Sequence, residues 1–208
     1  MRIDSLKNSP DRAGRYWISF EDGTKLGLYR QTVEDFGLYI GKELTEEEFS
    51  ALVTAAGKMS AKMRAVRIVS ATNVSRRDLE ERLIRKGEDP QQAREAVQWM
   101  EDLHLVDDRN TAEQVVHSCI SKGYGLARAK QALYDKRIPK EYWDEALADY
   151  PDQQERIEAF LRSRLDEESD DREVKKAIDA LLRRGHSYGT IREALKIISL
   201  DSDEFMEE

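Results

Sequence analysis

Asp107 and Asp108 stand side by side in the stretch LHLVDDRNTAEQVV (Leu103–Val116). Two carboxylates between apolar residues could exchange a proton with a substrate or hold a divalent cation. Either role needs further groups close by. His104, His117 and His186 are scattered, no His-Glu-x-x-His pattern exists, and His117 and Cys119 lie two positions apart, on different faces of one helix. The chain also lacks a Walker A loop, a dinucleotide-binding fingerprint and a nucleophile elbow. The pair therefore reads as helix punctuation: an aspartate at a helix start accepts from unpaired amides and meets the positive end of the dipole. Leu103 and Leu105 or Val106 would close a core before it, and Ala112, Val115 and Val116 would form the apolar face after it. A non-catalytic protein without cofactor or metal is expected.

The remaining groups with chemical potential are cations. The formal net charge is −8, but it is unevenly distributed along the chain. Residues 58–86 carry nine Lys or Arg against three acids (+6), 88–121 two against eight (−6), and 122–140 six against one (+5). Then 141–171 carry three against twelve (−9), and 172–196 seven against three (+4). One basic block is ordinarily a solvated helix face; three at regular spacing suggest an organised surface.

The elements that must position these cations follow from periodicity. In RYWISFEDGTKLGLY, Tyr16, Ile18 and Phe20 share one face at period two, Asp22-Gly23 makes a turn, and Leu26 and Leu28 begin a second run, which together predict a β-hairpin. A further strand over Met1–Leu6 would join it. Tyr29–Leu38 reads as a short helix stopped by Gly37. Thr45 with Glu48 forms a capping box, so a long helix should start there and run towards Ser70.

Beyond that point the chain repeats. Asp78–Val97, Arg128–Leu147 and Lys176–Leu195 align without a gap at offsets of 50 and 48 residues. Leu79, Ala129 and Ala177 match, as do Leu83, Leu133 and Leu181; in the second half of each segment so do Ala93, Trp143 and Ile191, Ala96, Ala146 and Ala194, and Val97, Leu147 and Leu195. Each segment thus predicts two helices with one apolar face each, joined by a short turn. Gly87 and Gly185 suit a left-handed helix end, Pro90 and Pro139 the first turn of a following helix, and Ser187 a cap. A linking helix completes each unit, because two such short helices cannot bury their faces alone. The expected fold is mainly α: tandem three-helix, helix-turn-helix-like repeats in an elongated curved body, with a small N-terminal β-hairpin-containing extension. The expected boundaries are 1–44 for the extension, 45–107, 108–150 and 151–198 for the repeats, and 199–208 for an acidic tail.

Cys119 is the only cysteine, so no disulfide framework or Cys-x-x-Cys metal site is available, and a reducing compartment is implied. No apolar run approaches the roughly 18 residues of a membrane helix, and the N-terminus lacks a signal-peptide core. A cytosolic protein is expected, with no membrane partner and a monomer as the simplest state.

VSRRDLEERLIRKGEDPQQAREAVQWMEDLHLVDDRNTAEQVV, followed by GYGLARAKQALYDKRIP, resembles the RecX family of regulatory proteins that act on the RecA recombinase. The matching elements are Ser75, Asp78-Leu79, Leu83, Lys86-Gly87, Leu103, Asp107-Asp108 and Ala112, then Lys122–Gly125, Leu133 and Ile138. The resemblance covers about residues 59–198. Thr72 and Val74 replace basic residues usual in the family, Thr111 replaces an aromatic, and Lys136-Arg137 replaces the second Lys-Gly. The resemblance implies a non-catalytic modulator that binds in the groove of the RecA filament on DNA and inhibits recombinase and coprotease activity, with consequences for recombination and the SOS response.

Lys86, Lys136 and Arg184 occupy equivalent positions at the end of the first helix of each repeat. Cations there favour the helix dipole by a few tenths of a kcal/mol to about 1 kcal/mol, which explains them without a partner. With Arg82, Arg85, Lys130, Arg137 and Arg183 they also make a basic stripe suited to RecA or to DNA phosphate. The two readings are compatible. Weak, salt-sensitive binding to single- or double-stranded DNA is a further expectation; a helix-turn-helix regulator or a helical scaffold without RecA is the alternative. Trp17, Trp99 and Trp143 read as core or interface fillers rather than base-stacking platforms.

Overall fold

The computed structural model describes residues 1–9, 14–166 and 168–204, the side chains of the last six of these excepted. The chain is mostly helical with a small antiparallel sheet, and it divides into two compact units, Met1–Asp107 and Asp108–Glu208.

In the first unit, β1 (Ile3–Asn8), β2 (Arg15–Phe20) and β3 (Lys25–Tyr29) pair antiparallel in chain order. Tyr16 faces Leu28 and Ile18 faces Leu26 across the hairpin, and Gly23 takes a left-handed φ of 86° at its turn. Alternation then buries Ile18, Phe20 and Leu28 and leaves Trp17 on the open face, where its ring lies over Gly27. After the short α1 (Arg30–Asp35), α2 (Glu46–Ala71) opens with both halves of the capping box: Glu48 N donates to Thr45 Oγ1 (3.1 Å) and Thr45 N to Glu48 Oε2 (2.8 Å).

One long helix serves two cores. Leu52 and Ala56 of α2 pack on the sheet, whereas Ala61, Ala65 and Ile68 pack on α3 (Arg76–Arg85) and α4 (Pro90–Asp102). Small residues let the helices approach closely, and Leu79, Leu83 and Met100 fill the space between them, each worth roughly 1.5–3 kcal/mol of burial. Ser75 caps α3 at Asp78 N (3.2 Å), and Asp89, ahead of Pro90, caps α4 at Gln91 N and Gln92 N.

The second unit holds α5 (Asp108–Ser121), α6 (Leu126–Asp135), a 3-10 turn (Lys140–Tyr142), α7 (Trp143–Leu147), α8 (Gln154–Arg162), α9 (Asp171–Arg183) and α10 (Tyr188–Glu204). Asp170 and Glu173 form a second capping box at the start of α9. One core joins Ala112, Val116, Leu133 and Ile138; the other joins Ile157, Leu161, Ala177, Leu181, Ile191 and Ala194. Helix α10 continues to Glu204, past the expected repeat end at 198, and residues 205–208 of the expected acidic tail lie outside the described residues.

Two expectations change in detail. Leu103 and Leu105 are 48% and 53% exposed, and Val106 alone of the three is buried, because the chain leaves α4 through a left-handed His104 (φ 55°) that turns its neighbours outward. The second helix of the middle pair shrinks to the 3-10 turn and five-residue α7, so Trp143, Ala146 and Leu147 are only partly buried against their core. Trp143 still anchors this stretch, its indole N–H donating to Ile138 O (3.0 Å).

Candidate partner-binding surface

The three pairs of helices end their first members in the same way. Lys86, Lys136 and Arg184 are the C-cap residues of α3, α6 and α9. The residue after each cap is left-handed: Gly87 at φ 89°, Arg137 at 57° and Gly185 at 85°. A glycine adopts this conformation freely, whereas arginine pays roughly 1–2 kcal/mol for it, so the middle turn holds its shape against its own residue type.

The next residue points inward each time, to Glu88 (8% exposed), Ile138 (4%) and His186 (8%). Glu88 is met by α2: Arg64 Nε lies 2.7 Å and Ser60 Oγ 3.0 Å from its Oε1, and Arg64 also donates to the Lys86 carbonyl. His186 is met by the α5–α6 turn, its Nε2 lying 3.1 Å from Gly123 O. Burial pushes its pKa below the ordinary histidine value and the Arg184 charge adds to that, while the Gly123 carbonyl pulls the other way.

Around His186 two helix ends cap each other. Gly125 N donates to Arg184 O (2.9 Å) and Ala127 N to Gly185 O (3.3 Å), so amides at the start of α6 take carbonyls from the end of α9. A Cβ on Gly125 would come within 2.1 Å of Gly185 O, and one on Gly185 within 2.3 Å of Arg128 N. Arg156 Nη1 donates to Ile120 O (2.6 Å), and the Tyr150 hydroxyl, its pKa pushed up to about 12 by burial, donates to Tyr124 O (2.7 Å). The KGYG stretch is thus a structural seam.

Of the cations singled out in the sequence, Arg82, Arg85 and Lys86 belong to the first unit, and Lys130, Lys136, Arg137, Arg183 and Arg184 to the second. Arg82 is committed to Asp78 (2.8 Å), one turn back on α3. Arg85, Lys86, Lys130 and Arg183 are exposed, with no carboxylate within 4.0 Å among the described residues. Arg137 is exposed and Lys136 half-buried. The Arg184 guanidinium lies 4.7 Å from the Phe160 ring centroid, and Arg164 lies 4.6 Å from the same centroid. Sequence reasoning missed Arg164, Phe160 and the His186–Gly123 contact; the alignment of Glu88, Ile138 and His186 was the one available signal.

The acidic pair divides between surface and interior. Asp107 is exposed and Asp108, the first residue of α5, is buried at 6% exposure. His104 and His117 are exposed, and Cys119 is buried, which raises its thiol pKa. Among the described residues no group of three or more His, Cys, Asp or Glu could hold a metal ion, and no helix is long and apolar enough to cross a membrane.

Fold and surface define a class: a chain of three-helix units that repeats a basic helix end, with a small sheet in front. Comparisons with known proteins narrow it. Residues 107–147 match the family description "RecX, second three-helix domain". The regulatory protein RecX of Clostridioides difficile (strain 630) is 26% identical over 207 residues, 96% of each chain. That of Chlorobaculum tepidum is 33% identical over 144 residues, 68% of this chain and 89% of the relative. A crystal structure of regulatory protein RecX superimposes with a TM-score of 0.62 at 22% identity, covering 92% of this chain and 98% of the other; RecX from Lactobacillus salivarius gives 0.61 at 23%, covering 70% and 99%. The chain belongs to the RecX family of regulatory proteins.

Proposed function

We propose that this protein is a non-catalytic modulator that binds the RecA filament on DNA, occupies its groove and inhibits recombinase and coprotease activity, thereby tuning recombination and the SOS response. The observation that carries the reading is the recurrence of Lys86, Lys136 and Arg184 at one structural position in three helical pairs. A filament is periodic along its axis, and the DNA within it carries phosphate charge. Several modest contacts made at intervals by one chain then add, because each contact raises the effective concentration of the next. Arg85, Lys130, Arg137 and Arg183 extend each contact, and Arg82 braces α3 through Asp78. Capping does not compete with this role, since it uses the backbone of these residues and not their charged groups.

The test adds the purified protein to RecA filaments on single-stranded DNA and follows ATP hydrolysis and strand exchange. Stoichiometric inhibition is expected, whereas no inhibition, or tight binding to one duplex sequence alone, would sink the proposal. Reversing Lys86, Lys136 and Arg184 together to Glu should weaken filament binding by roughly tenfold or more, with helicity by circular dichroism unchanged. Unchanged affinity would reduce these residues to caps.

A further inference from the structure

The sheet of the first unit packs one face on its core, and the other face has a chemistry that the helical repeats do not share. Strand register sets three rows across that open face: Arg15 beside Tyr29, Lys7 beside Trp17 and Gly27, and Ser5 beside Ser19 and Lys25. Each row carries one cation. Lys7 and Lys25 are exposed, and none of the three cations has a carboxylate within 4.0 Å among the described residues. Arg15 lies over the Tyr29 ring, 4.8 Å from its centroid, and the Tyr29 hydroxyl accepts from Arg67 Nη2 (3.1 Å), which brings a fourth cation to that end. The only acid in the three strands, Asp4, sits at the β1 bulge beyond the last row. In the hairpin turn Glu21 pairs with Arg2 (3.4 Å), and Asp22 accepts from Thr24 N (3.0 Å).

Trp17 stands in the middle row and is 53% exposed, so it is no core filler. A Cβ on Gly27 would lie 3.3 Å from its Cζ3 and 3.5 and 3.7 Å from the adjacent Cη2 and Cε3. Three neighbouring ring atoms at nearly one distance mean a face-on approach; an edge-on ring would hold the outer two much farther away. The indole therefore lies flat, with one face on the Gly27 backbone. No cation and no second ring covers its other face among the described residues. Shielding Gly27 accounts for one side of the ring, and an aliphatic side chain would serve that purpose as well. A large π-face turned outward among cations is the combination that holds an unstacked base and its phosphates.

We propose that this open face binds single-stranded nucleic acid, with one base stacked on Trp17 and the flanking phosphates on Lys7, Arg15 and Lys25. Cations stand on both sides of the indole, so phosphates on either side of the stacked base find one. A duplex fits less well, because its bases are already stacked on both faces. An acidic protein segment satisfies the cations and leaves the indole unused. The site uses none of the helix-end cations and holds whether or not RecA is the partner.

The test titrates the full chain with an eight-residue oligothymidine, its abasic counterpart, a duplex and hexaglutamate, following the Trp17 indole N–H and the Lys7 and Gly27 amides by NMR. The oligothymidine should shift all three signals, and the other three probes should bind at least fivefold more weakly. Trp17→Leu, which still covers Gly27, should weaken oligothymidine binding by about tenfold, and Trp17→Phe should recover most of it. Lys7→Gln with Lys25→Gln should flatten the slope of log affinity against log salt by about 1.4, whereas Lys175→Gln with Lys176→Gln in the second unit should leave it as it is. Absence of shifts with oligothymidine, equal binding of the abasic strand or of hexaglutamate, or an unchanged affinity in Trp17→Leu would each overturn the proposal. No RecA is present in the titration, so its outcome is independent of filament inhibition.

Discussion

The turns of the first and third helical pairs have the same backbone and opposite chemistry. Both run from a basic C-cap through a left-handed glycine to a buried polar residue and a side-chain cap: Lys86-Gly87-Glu88-Asp89 and Arg184-Gly185-His186-Ser187. In the first, an anion is held by the Arg64 guanidinium of a helix lying alongside. In the third, a neutral imidazole meets a backbone carbonyl, and the glycine itself is pressed against Arg128 of another helix. The middle turn dispenses with polarity and buries Ile138. One backbone solution therefore tolerates three side-chain chemistries, provided that each finds its own partner. What differs is how far away that partner is in the sequence and how closely it approaches.

The two glycines separate conformation from packing. Gly87 has nothing within 4 Å of where a Cβ would stand, so Gly87→Ala should cost only the left-handed penalty, about 1–2 kcal/mol. Gly185→Ala carries the same penalty and also drives a methyl group into the Arg128 backbone. Its cost should be roughly 3 kcal/mol or more, measured as a fall in the urea midpoint of the second unit. Equal costs would mean that the α6–α9 contact is looser than described.

The charged turn responds to a different change. Arg64→Met leaves Glu88 buried with only the Ser60 hydroxyl beside it, which should destabilise the first unit by about 2 kcal/mol; the figure is reduced from that of a fully buried pair because Arg64 is partly exposed. Adding Glu88→Leu, in imitation of Ile138, should restore most of that stability. If the double variant is no better than Arg64→Met, then desolvation of Glu88 is not what the pair offsets.

These turns mark the limit of what the sequence discloses. Period two gave the hairpin, Thr45 and Glu48 gave the start of α2, and the matched Leu83, Leu133 and Leu181 gave the buried face of three helices, because each signal is local and has one physical solution. The partner of a turn residue is not local. Nothing near His186 names Gly123, 63 residues earlier, and a glycine at 125 reads equally as a loop breaker or as a site of close approach. The middle pair departs from its sequence spacing for a related reason. Its apolar spacing continues through Trp143, Ala146 and Leu147, but the 3-10 turn that follows Pro139 spends residues that a longer helix would need. Among the basic residues, the repeat gave their equivalence, and only the folded chain distinguishes Arg82, held by Asp78, from Lys130 beside an open cleft.

The gentlest comparison between the two polar turns is made with pH. His186 has a folded pKa below its ordinary value, chiefly through burial and then through Arg184, so the unfolded chain binds its proton more readily than the folded one. Its contribution is complete above the unfolded pKa of about 6.5 and is lost as pH falls below that value and through the folded pKa. Lowering the pH from 7.5 to 5 should therefore destabilise the second unit. Carboxylates elsewhere titrate over part of the same range, so the informative quantity is a difference. His186→Gln keeps a donor for Gly123 O without a titrating group, and its urea midpoint should fall less between the two pH values than that of the parent protein. Parallel behaviour of the two proteins would mean that the imidazole accepts a proton in place, and that the seam between α6 and α9 tolerates a charge its surroundings disfavour.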